Sequence, residues 1–226
     1  MSRSIIMKRI ILLLVILAAI SCGILFLSPE SKKIIGLDDQ PPKIGILPFG
    51  SISNEEVDSV QTAIQQMYDF DVAVLNTEPM PEVAYTTIRY PRYRADTLLG
   101  WLADFRPDSI DILLGLTNKD ISVTKYQEDG RAIKEPEWKY KDFGIFGLGR
   151  VNGTVCVVSS NRLHKGVSDR KFYKRLTRIS CHEVGHVLGL RHCPESNCLM
   201  NDANESIKTV DKSTGDLCQS CWNKIH

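Results

Sequence analysis

Two histidines and a glutamate near the C-terminal end of the sequence have the spacing of a metal site. His182 and His186 are four residues apart, so on a helix both rings lie on one face and reach one ion. Gly189 accepts a positive φ, so it can end that helix and bring back His192 as a third nitrogen ligand. Three neutral imidazoles leave a tetrahedral Zn²⁺ with one open position, as a catalytic zinc requires. Glu183, beside the first ligand, is placed to accept a proton from zinc-activated water.

This interpretation depends on the third histidine. The shorter pattern, His-Glu-x-x-His, is short enough to occur by chance on an ordinary helix, where a histidine is more often a satisfied core residue. A further histidine, three residues after a correctly placed glycine, makes chance a rare explanation. The histidines therefore predict a zinc site with its general base included.

Four cysteines in two close pairs form a second signal in the same part of the chain. Four residues separate Cys193 from Cys198, and Cys218 and Cys221 form a CxxC pair. Four thiolates at such spacings suit a closed, tetrahedral structural zinc. Two disulfides are the alternative, but the short paired spacings favour metal ligation. No thioredoxin-like βαβ pattern surrounds the CxxC pair.

Taken together, residues 182–221 read HExxHxxGxxHCx4CxMx17CxxC and resemble the archaemetzincin signature at every position. Archaemetzincins are a branch of the metzincin metallopeptidases. The resemblance implies Glu183 as general base beside a catalytic zinc held by His182, His186 and His192. It implies a second, structural zinc on Cys193, Cys198, Cys218 and Cys221. Met200 would be the Met-turn residue beneath the catalytic zinc, although alone it would be interpreted as core filler. A weaker similarity covers residues 43–50, 92–102 and 111–117.

The composition is that of one globular domain. The chain has 226 residues, of which 43% are hydrophobic, and a formal net charge of +1 that gives no indication of nucleic-acid binding. Without the N-terminal segment about 190 residues remain, enough for one sizeable core. We expect a monomer, in which Cys156 and Cys181 are buried thiols.

The N-terminal segment, residues 1–27, predicts membrane association. Arg3, Lys8 and Arg9 precede an uncharged, mostly apolar run from residue 10 to residue 27. Such a run is long for a signal-peptide core and near the lower limit for a membrane span. An uncleaved anchor is favoured over a lipoprotein modified at Cys22, because residues 23–27 remain apolar. Residues 28–42 are a polar linker, and the basic flank predicts a periplasmic or extracellular catalytic domain.

Residues 43–226 alternate strands with helices. The predicted strands cover residues 43–49, 71–75, 110–116 and 155–159. One helix follows a cap at Ser53, a second covers residues 95–105, and a third runs from a cap at Ser168 to the histidines. Together with the resemblance, this order implies an α/β, metzincin-like zincin domain with a mixed sheet and an active-site helix. Residues 190–226 would form a small C-terminal subdomain clipped by zinc.

Two segments are candidates for the walls of the cleft. Residues 144–150 carry three spaced glycines and could be the edge strand that binds extended peptide above the zinc, or a plain turn or bulge. Residues 79–91 are predicted to be a loop in which Tyr90, with Arg92 and Tyr93 nearby, either faces substrate or packs ordinarily. Residues 119–140 are charged and turn-rich, which predicts a surface excursion.

The function predicted from the sequence is zinc-dependent peptide hydrolysis with Glu183 as general base. The resemblance suggests an aminopeptidase-like activity on a restricted range of peptide or protein substrates. A membrane-tethered zinc-binding interaction module with little turnover is an alternative, but a scaffold would not need Glu183. Amidase or deacetylase chemistry is a third reading, although HExxH on a helix favours peptides. The predicted export conflicts with thiolate zinc ligands, since exported proteins meet an oxidising environment.

Overall fold

The computed structural model describes residues 41–202 and 206–226. The predicted anchor or lipoprotein segment, residues 1–27, and all but the last two residues of the predicted linker lie outside the described residues. Within these two ranges, none of the helices combines the length and apolar character that a membrane crossing requires.

A five-stranded mixed sheet forms the centre of the domain. Its order is β2 (Val72–Val74), β1 (Ile44–Phe49), β5 (Ile112–Thr117), β9 (Val155–Ser159) and β8 (Gly147–Gly149). The first four strands run parallel, and β8 pairs antiparallel with β9 at the edge. Strands β1, β5 and β9 are buried along their whole length, as expected for parallel strands covered on both faces. The four predicted strands are therefore present to within two residues.

Three helices cover the two faces of this sheet. On one face, α1 (Asn54–Tyr68) and α4 (Asp169–Val187) pack through Val60, Ile64 and Leu176. On the other face, α2 (Ala95–Phe105) packs through its leucines. Helix α1 begins with a reciprocal capping box, in which the Ser53 hydroxyl accepts from the backbone of Glu56. Ser168 lies at the N-cap of α4 as predicted, but its side chain makes no capping hydrogen bond.

A second, four-stranded mixed sheet was not predicted from the sequence. Its order is β3 (Tyr85–Thr86), β4 (Arg92–Arg94), β6 (Ile121–Val123) and β7 (Phe143–Ile145). Two of its strands lie where we predicted only a loop and a surface excursion, and the latter also contains the one-turn helix α3 (Glu137–Tyr140). These strands have only two or three residues, which is too short for a periodicity to stand out from chance. Ile121 is nevertheless fully buried.

The chain after α4 is irregular, as predicted. Helix α4 ends at Val187, and Gly189 has a φ of 97°, so it makes the predicted turn. Two short helices follow, α5 (Ile207–Lys212) and α6 (Gln219–Trp222). The small buried cluster of this segment consists of Leu190, Cys198, Met200 and Cys221. A core of this size needs additional support, which a metal site would provide.

Candidate active site and metal centres

The three predicted histidine ligands meet at the C-terminal end of α4. The helix places His182 and His186 on one face, and the turn at Gly189 returns the chain so that His192 faces them. One ring nitrogen of each histidine lies within 4.8 Å of those of the other two. The structure therefore brings together the whole predicted set.

Each histidine has a partner for its second ring nitrogen. The Nδ1 atoms of His182 and His186 lie 2.8 Å from the backbone oxygens of Leu199 and Leu190. If those nitrogens carry the proton, both rings donate to backbone and leave Nε2 free for a metal ion. The Nδ1 atom of His192 instead lies 3.5 Å from Oδ2 of Asp202. Backbone oxygens thus orient two ligands, whereas a side-chain carboxylate orients the third.

Burial keeps the two helical histidines neutral. Desolvation, together with the neighbouring His186, lowers the pKa of His182 to about 4. Desolvation also lowers the pKa of His186. A metal ligand must be the neutral imidazole with a free lone pair, so at neutral pH these rings are in the ligating form.

The side chain of Glu183 lies between its own helix, α4, and the edge strand β8. Its side chain is only 8% exposed. A Cβ atom at Gly147 would come within 2.7 Å of the Glu183 side chain, and one at Gly149 within 2.6 Å of its backbone oxygen. Glycine at both positions lets the strand approach the helix closely. The spacing of these glycines is visible in the sequence, but their contact with Glu183 is not.

The environment of Glu183 suits a proton acceptor. Burial raises the pKa of Glu183 to about 8, and a hydrogen bond from the backbone N–H of Gly149 acts in the opposite direction. A dication held by the neighbouring histidines would favour the carboxylate form. Such a balance places the titration of a general base near the operating pH.

The histidine donor set fits zinc. Zinc accepts imidazole nitrogens, and catalytic sites have three protein ligands with a fourth position open to water or substrate. Here three rings converge, and they face a cleft rather than the core. The residues present are therefore compatible with a catalytic ion.

The four predicted cysteine ligands form a second centre. All four Sγ atoms lie within 4.8 Å of one another, and both the Cys193–Cys218 and Cys198–Cys221 pairs are 3.8 Å apart. A disulfide would need about 2.05 Å. Four sulfurs about 2.3 Å from one zinc ion would be separated by about 3.8 Å, the edge of the tetrahedron. The geometry fits a closed zinc site, and all four thiols are free.

The surroundings of the cluster favour the thiolate at one cysteine, whereas burial raises the pKa of Cys198 and Cys221. A hydrogen bond from the backbone of Cys221 lowers the pKa of Cys218 to about 7, which favours the thiolate that a metal binds. Burial raises the pKa of Cys198, although its sulfur accepts a 3.4 Å hydrogen bond from the backbone of Cys218. The other two cysteines among the described residues, Cys156 and Cys181, are buried as predicted, and burial raises the pKa of both.

Met200 connects the two centres. It is fully buried, and its sulfur packs so closely on Gly185 that a Cβ atom there would lie 2.6 Å away. Its backbone oxygen accepts a 2.8 Å hydrogen bond from Cys193, the first residue of the cysteine cluster. The predicted Met-turn residue thus supports the histidine helix from below and is joined to the cysteine segment.

The histidines and Glu183 open into a cleft of about 750 Å³. Residues 143–149 form one wall, and this extended segment is an outer edge of both sheets, first as β7 and then as β8. Leu199, Asp202 and Val210, from the chain after α4, also line the cleft. The predicted edge strand is present, and it approaches Glu183 closely at Gly147 and Gly149.

A family model described as peptidase family M54 matches residues 54–226 of the chain. The chain belongs to peptidase family M54. An archaemetzincin from Natronomonas pharaonis is 27% identical over 190 residues, which cover 80% of this chain and 98% of that protein. An archaemetzincin from Methanopyrus kandleri is 32% identical over 143 residues, covering 63% and 70% of the two chains.

The fold of this M54 chain is also that of solved archaemetzincins. The structure of archaemetzincin from Archaeoglobus fulgidus, complexed with malonate, has a TM-score of 0.64 at 27% identity. The alignment covers 81% of this chain and 99% of that one. The family and the fold make this protein a zinc metallopeptidase, so the predicted family, fold class and enzyme class are confirmed.

Several contacts of the M54 site were not visible in the sequence. The backbone oxygens of Leu190 and Leu199 orient the histidines, but backbone atoms leave no signature in residue types. Asp202 follows His192 after an irregular stretch, so no helical spacing pointed to it. Arg89 and Trp138, far apart in the sequence, both line the cleft. Two signals were usable: the glycine spacing of residues 147–149, and the loop residues named as possibly facing substrate, of which Tyr90 and Arg92 line the cleft whereas Tyr93 packs against the core.

Proposed function

We propose that this protein hydrolyses peptide bonds with Glu183 as general base. In this proposal His182, His186 and His192 hold a catalytic zinc, and Cys193, Cys198, Cys218 and Cys221 hold a second, structural one. The observation that carries the proposal is the position of Glu183, whose carboxylate is buried beneath the edge strand beside three converging imidazoles at the cleft. A scaffold that only bound metal would have no use for this carboxylate.

The catalytic roles follow from this arrangement. Zinc, when bound, supplies a Lewis acid that polarises the scissile carbonyl and lowers the pKa of water. Glu183 accepts the proton of the attacking water and later donates it to the leaving amine, so its carboxylate ends each cycle unprotonated. The N–H of Gly149 holds the carboxylate in place between these transfers. The glycine edge excludes bulk water from one side of the carboxylate.

The edge formed by residues 143–149 is the proposed binding strand for substrate. It lies at the edge of both sheets and lines the cleft, so an extended peptide could add to it as a further strand. Main-chain hydrogen bonds would then provide affinity with little demand on side-chain identity. The cleft would take a peptide or an unfolded protein segment.

Three further features belong to the same proposal. The family resemblance supports an aminopeptidase-like preference, which would appear as faster cleavage of free than of N-acetylated peptides. The apolar run at residues 10–27 supports attachment to a membrane, with the catalytic domain on the periplasmic or extracellular side. Membrane fractionation with protease protection tests that location, and light scattering tests whether the chain is a monomer.

A Glu183→Gln variant tests the proposed mechanism. We expect kcat on a cleaved peptide to fall by about 10²–10⁴-fold, because the variant cannot accept the proton, while both metal ions remain bound. A peptide library with and without chelator identifies the substrate, and elemental analysis counts the metal. Full activity in a metal-replete Glu183→Gln variant would exclude this role for Glu183. Metal binding without cleavage of any peptide by the wild type would favour the interaction module.

A further inference from the structure

The cleft extends well beyond the histidines along its edge strand. Phe143, at the start of the edge, is four residues from Gly147, which contacts Glu183. At about 3.3 Å per residue, the two positions are separated by about 13 Å. This distal end, here called the distal subsite, is lined by Arg89, Tyr90, Lys125, Trp138, Lys139 and Phe143. A bound peptide that reached it would place there a residue about four positions from the scissile bond.

The distal subsite holds cations against aromatic rings. The guanidinium carbon of Arg89 lies 4.6 Å from the ring centre of Trp138 and 5.1 Å from that of Tyr90. The Nζ atom of Lys125 lies 4.4 Å from the ring centre of Phe143. Such contacts stabilise a cation in a fixed position and leave its hydrogen-bond donors directed outward. The positive groups are therefore positioned before any ligand binds.

Two arginines of the cleft are paired with carboxylates. Arg92 and Arg162, which also line the cleft, are paired with Asp120, and Arg92 also with Asp142. Those two arginines are therefore compensated. The acidic side chains that line the cleft itself, Glu183 and Asp202, belong to the histidine end.

Arg89 differs from these paired arginines. Its contacts among the described residues are the two rings, and it forms no ion pair there. Lys125 and Lys139 have further interactions of their own, so Arg89 is the cation on which the inference depends. Arg89 is exposed and contributes nothing to the core. An arginine in this position has its donor fork available for a ligand.

We propose that the distal subsite binds a carboxylate of the substrate, with Arg89 as its principal contact. This inference rests on the proposed peptidase function and adds a substrate class to it. The carboxylate belongs either to an Asp or Glu side chain or to the C terminus of the peptide, about four residues from the scissile bond. Trp138, 65% exposed, offers an apolar surface for the neighbouring part of the same peptide.

Peptides that differ only in charge test the inference. A cleaved peptide is remade with Glu or Gln at each position within five residues of the scissile bond, and with a C-terminal acid or amide. We expect one acidic version to have a kcat/KM about three- to five-fold above its neutral counterpart, through KM, because the contact forms equally in ground and transition states. The preference should shrink as salt is added.

Three variants assign the preference to Arg89. Arg89→Gln should remove it, and Arg89→Lys should retain part of it, since lysine keeps the charge but not the fork. Arg131→Gln makes the same charge change at an exposed arginine that does not line the cleft, so it should leave the preference unchanged. If kcat/KM differs between the Glu and Gln peptides but not between the C-terminal acid and amide, the bound carboxylate belongs to an acidic side chain. If it differs only between the acid and the amide, the bound carboxylate is the C terminus.

Two outcomes would overturn the inference. One is equal cleavage of every acidic and neutral pair by the wild type, which leaves the peptidase function intact. The other is an acidic preference that survives in Arg89→Gln. If the wild type cleaves none of the peptides, the proposed function fails, and binding of rhodamine-labelled Glu and Gln peptides, followed by anisotropy, still decides the distal subsite. Equal affinities would then reject it.

Discussion

The histidine centre and the cysteine centre differ although both come from one stretch of 40 residues. The histidines project from a long helix into a cleft, and a buried carboxylate lies beside them. The cysteines come from an irregular segment and pack with Leu190 and Met200, and none of them lines the cleft. The histidine centre has three donors and a side open to the cleft. The cysteine centre has four donors and no open side.

This difference shows how ligand number and support determine what a metal site does. Three nitrogen donors on a rigid helix leave a coordination position for chemistry, and the open side faces the place where a peptide can bind. Four sulfur donors leave no position, so that centre can only hold chain segments together. The cysteine segment, residues 190–226, also carries His192 and the backbone oxygen of Leu199, so it positions part of the histidine centre.

The largest effect is expected from removing one ligand of each centre in turn. His186→Ala and Cys221→Ser should each reduce bound zinc from two ions to one and reduce peptidase activity to background. Only Cys221→Ser should also lower the melting temperature markedly, since its segment has little core of its own. His186→Ala should keep the fold, because α4 packs on the sheet through other residues.

Elemental analysis and calorimetry on the two variants separate these outcomes. A Cys221→Ser protein that kept two ions and full stability would show that the cysteine centre has no structural role. Equal destabilisation by both ligand substitutions would show that the two centres are not different in kind.

A smaller effect is expected at the glycine edge. Gly147→Ala places a Cβ atom within 2.7 Å of the Glu183 side chain, so the carboxylate must move. We expect kcat to fall by about 10- to 100-fold, since small displacements of a catalytic group are costly, while metal content at both centres is unchanged. Kinetics with elemental analysis checks both.

Gly100→Ala is the matched control for this substitution. Gly100 lies within α2, and a Cβ atom there would meet nothing within 4 Å. It should leave kcat unchanged and raise stability by about 0.5–1 kcal/mol, because alanine loses less conformational freedom in a helix. Unchanged kcat in Gly147→Ala as well would mean that the position of Glu183 is not set by this edge.

A third effect concerns the way the histidines are oriented. Asp202→Asn weakens the side-chain partner of His192, whereas His182 and His186 retain their backbone partners. We expect zinc affinity at the histidine centre to fall by about 10-fold, with the cysteine centre unaffected. Competition with a coloured chelator measures both affinities. Asp216→Asn, an exposed change in the same segment, should alter neither, and equal losses in the two variants would reject a specific role for Asp202.

The sequence predicted the long, periodic elements and the motif, but not the contacts that complete the site. Buried runs such as Ile44–Phe49 and the helix Ala95–Phe105 were found because their apolar pattern extends over whole turns or pleats. The second sheet was missed because its strands, including Arg92–Arg94, are too short and too polar to show a period. Tertiary pairing alone makes them strands.

The site itself divides in the same way. The histidine and cysteine clusters and Glu183 were predicted because a zinc site requires fixed residue types at fixed spacing. The orienting atoms were not predicted, because backbone oxygens such as that of Leu199 belong to any residue type. Arg89 and Trp138 were missed for a third reason. They meet only after the second sheet folds, so no local pattern could join them.

The smallest effect on activity is expected from the ion pair that joins the cysteine segment to the histidine helix α4. Asp211, on α5, accepts two 2.7 Å hydrogen bonds from Arg175 on the histidine helix and pairs with Lys171 at 2.8 Å. These partners lower the pKa of Asp211 to about 2. A lowered carboxyl pKa contributes stability above the unfolded value of about 3.9, and the contribution is lost as pH falls through the folded value. Asp211→Asn should therefore be less stable than the wild type by about 1–3 kcal/mol at pH 7, with nearly unchanged activity.

The pH dependence of that difference is the decisive measurement. Acid also protonates the histidines and cysteines and releases metal, which lowers the free energy of unfolding. Because this decrease is the same in both proteins, it cancels in the difference between them. Denaturant unfolding at a series of pH values should give a constant stability difference above about pH 4 that shrinks towards pH 2. Because Arg175 is almost buried, its unpaired charge in the variant makes the difference measurable. A difference that stayed constant down to pH 2 would mean that the carboxylate of Asp211 does not hold the cysteine segment to the histidine helix.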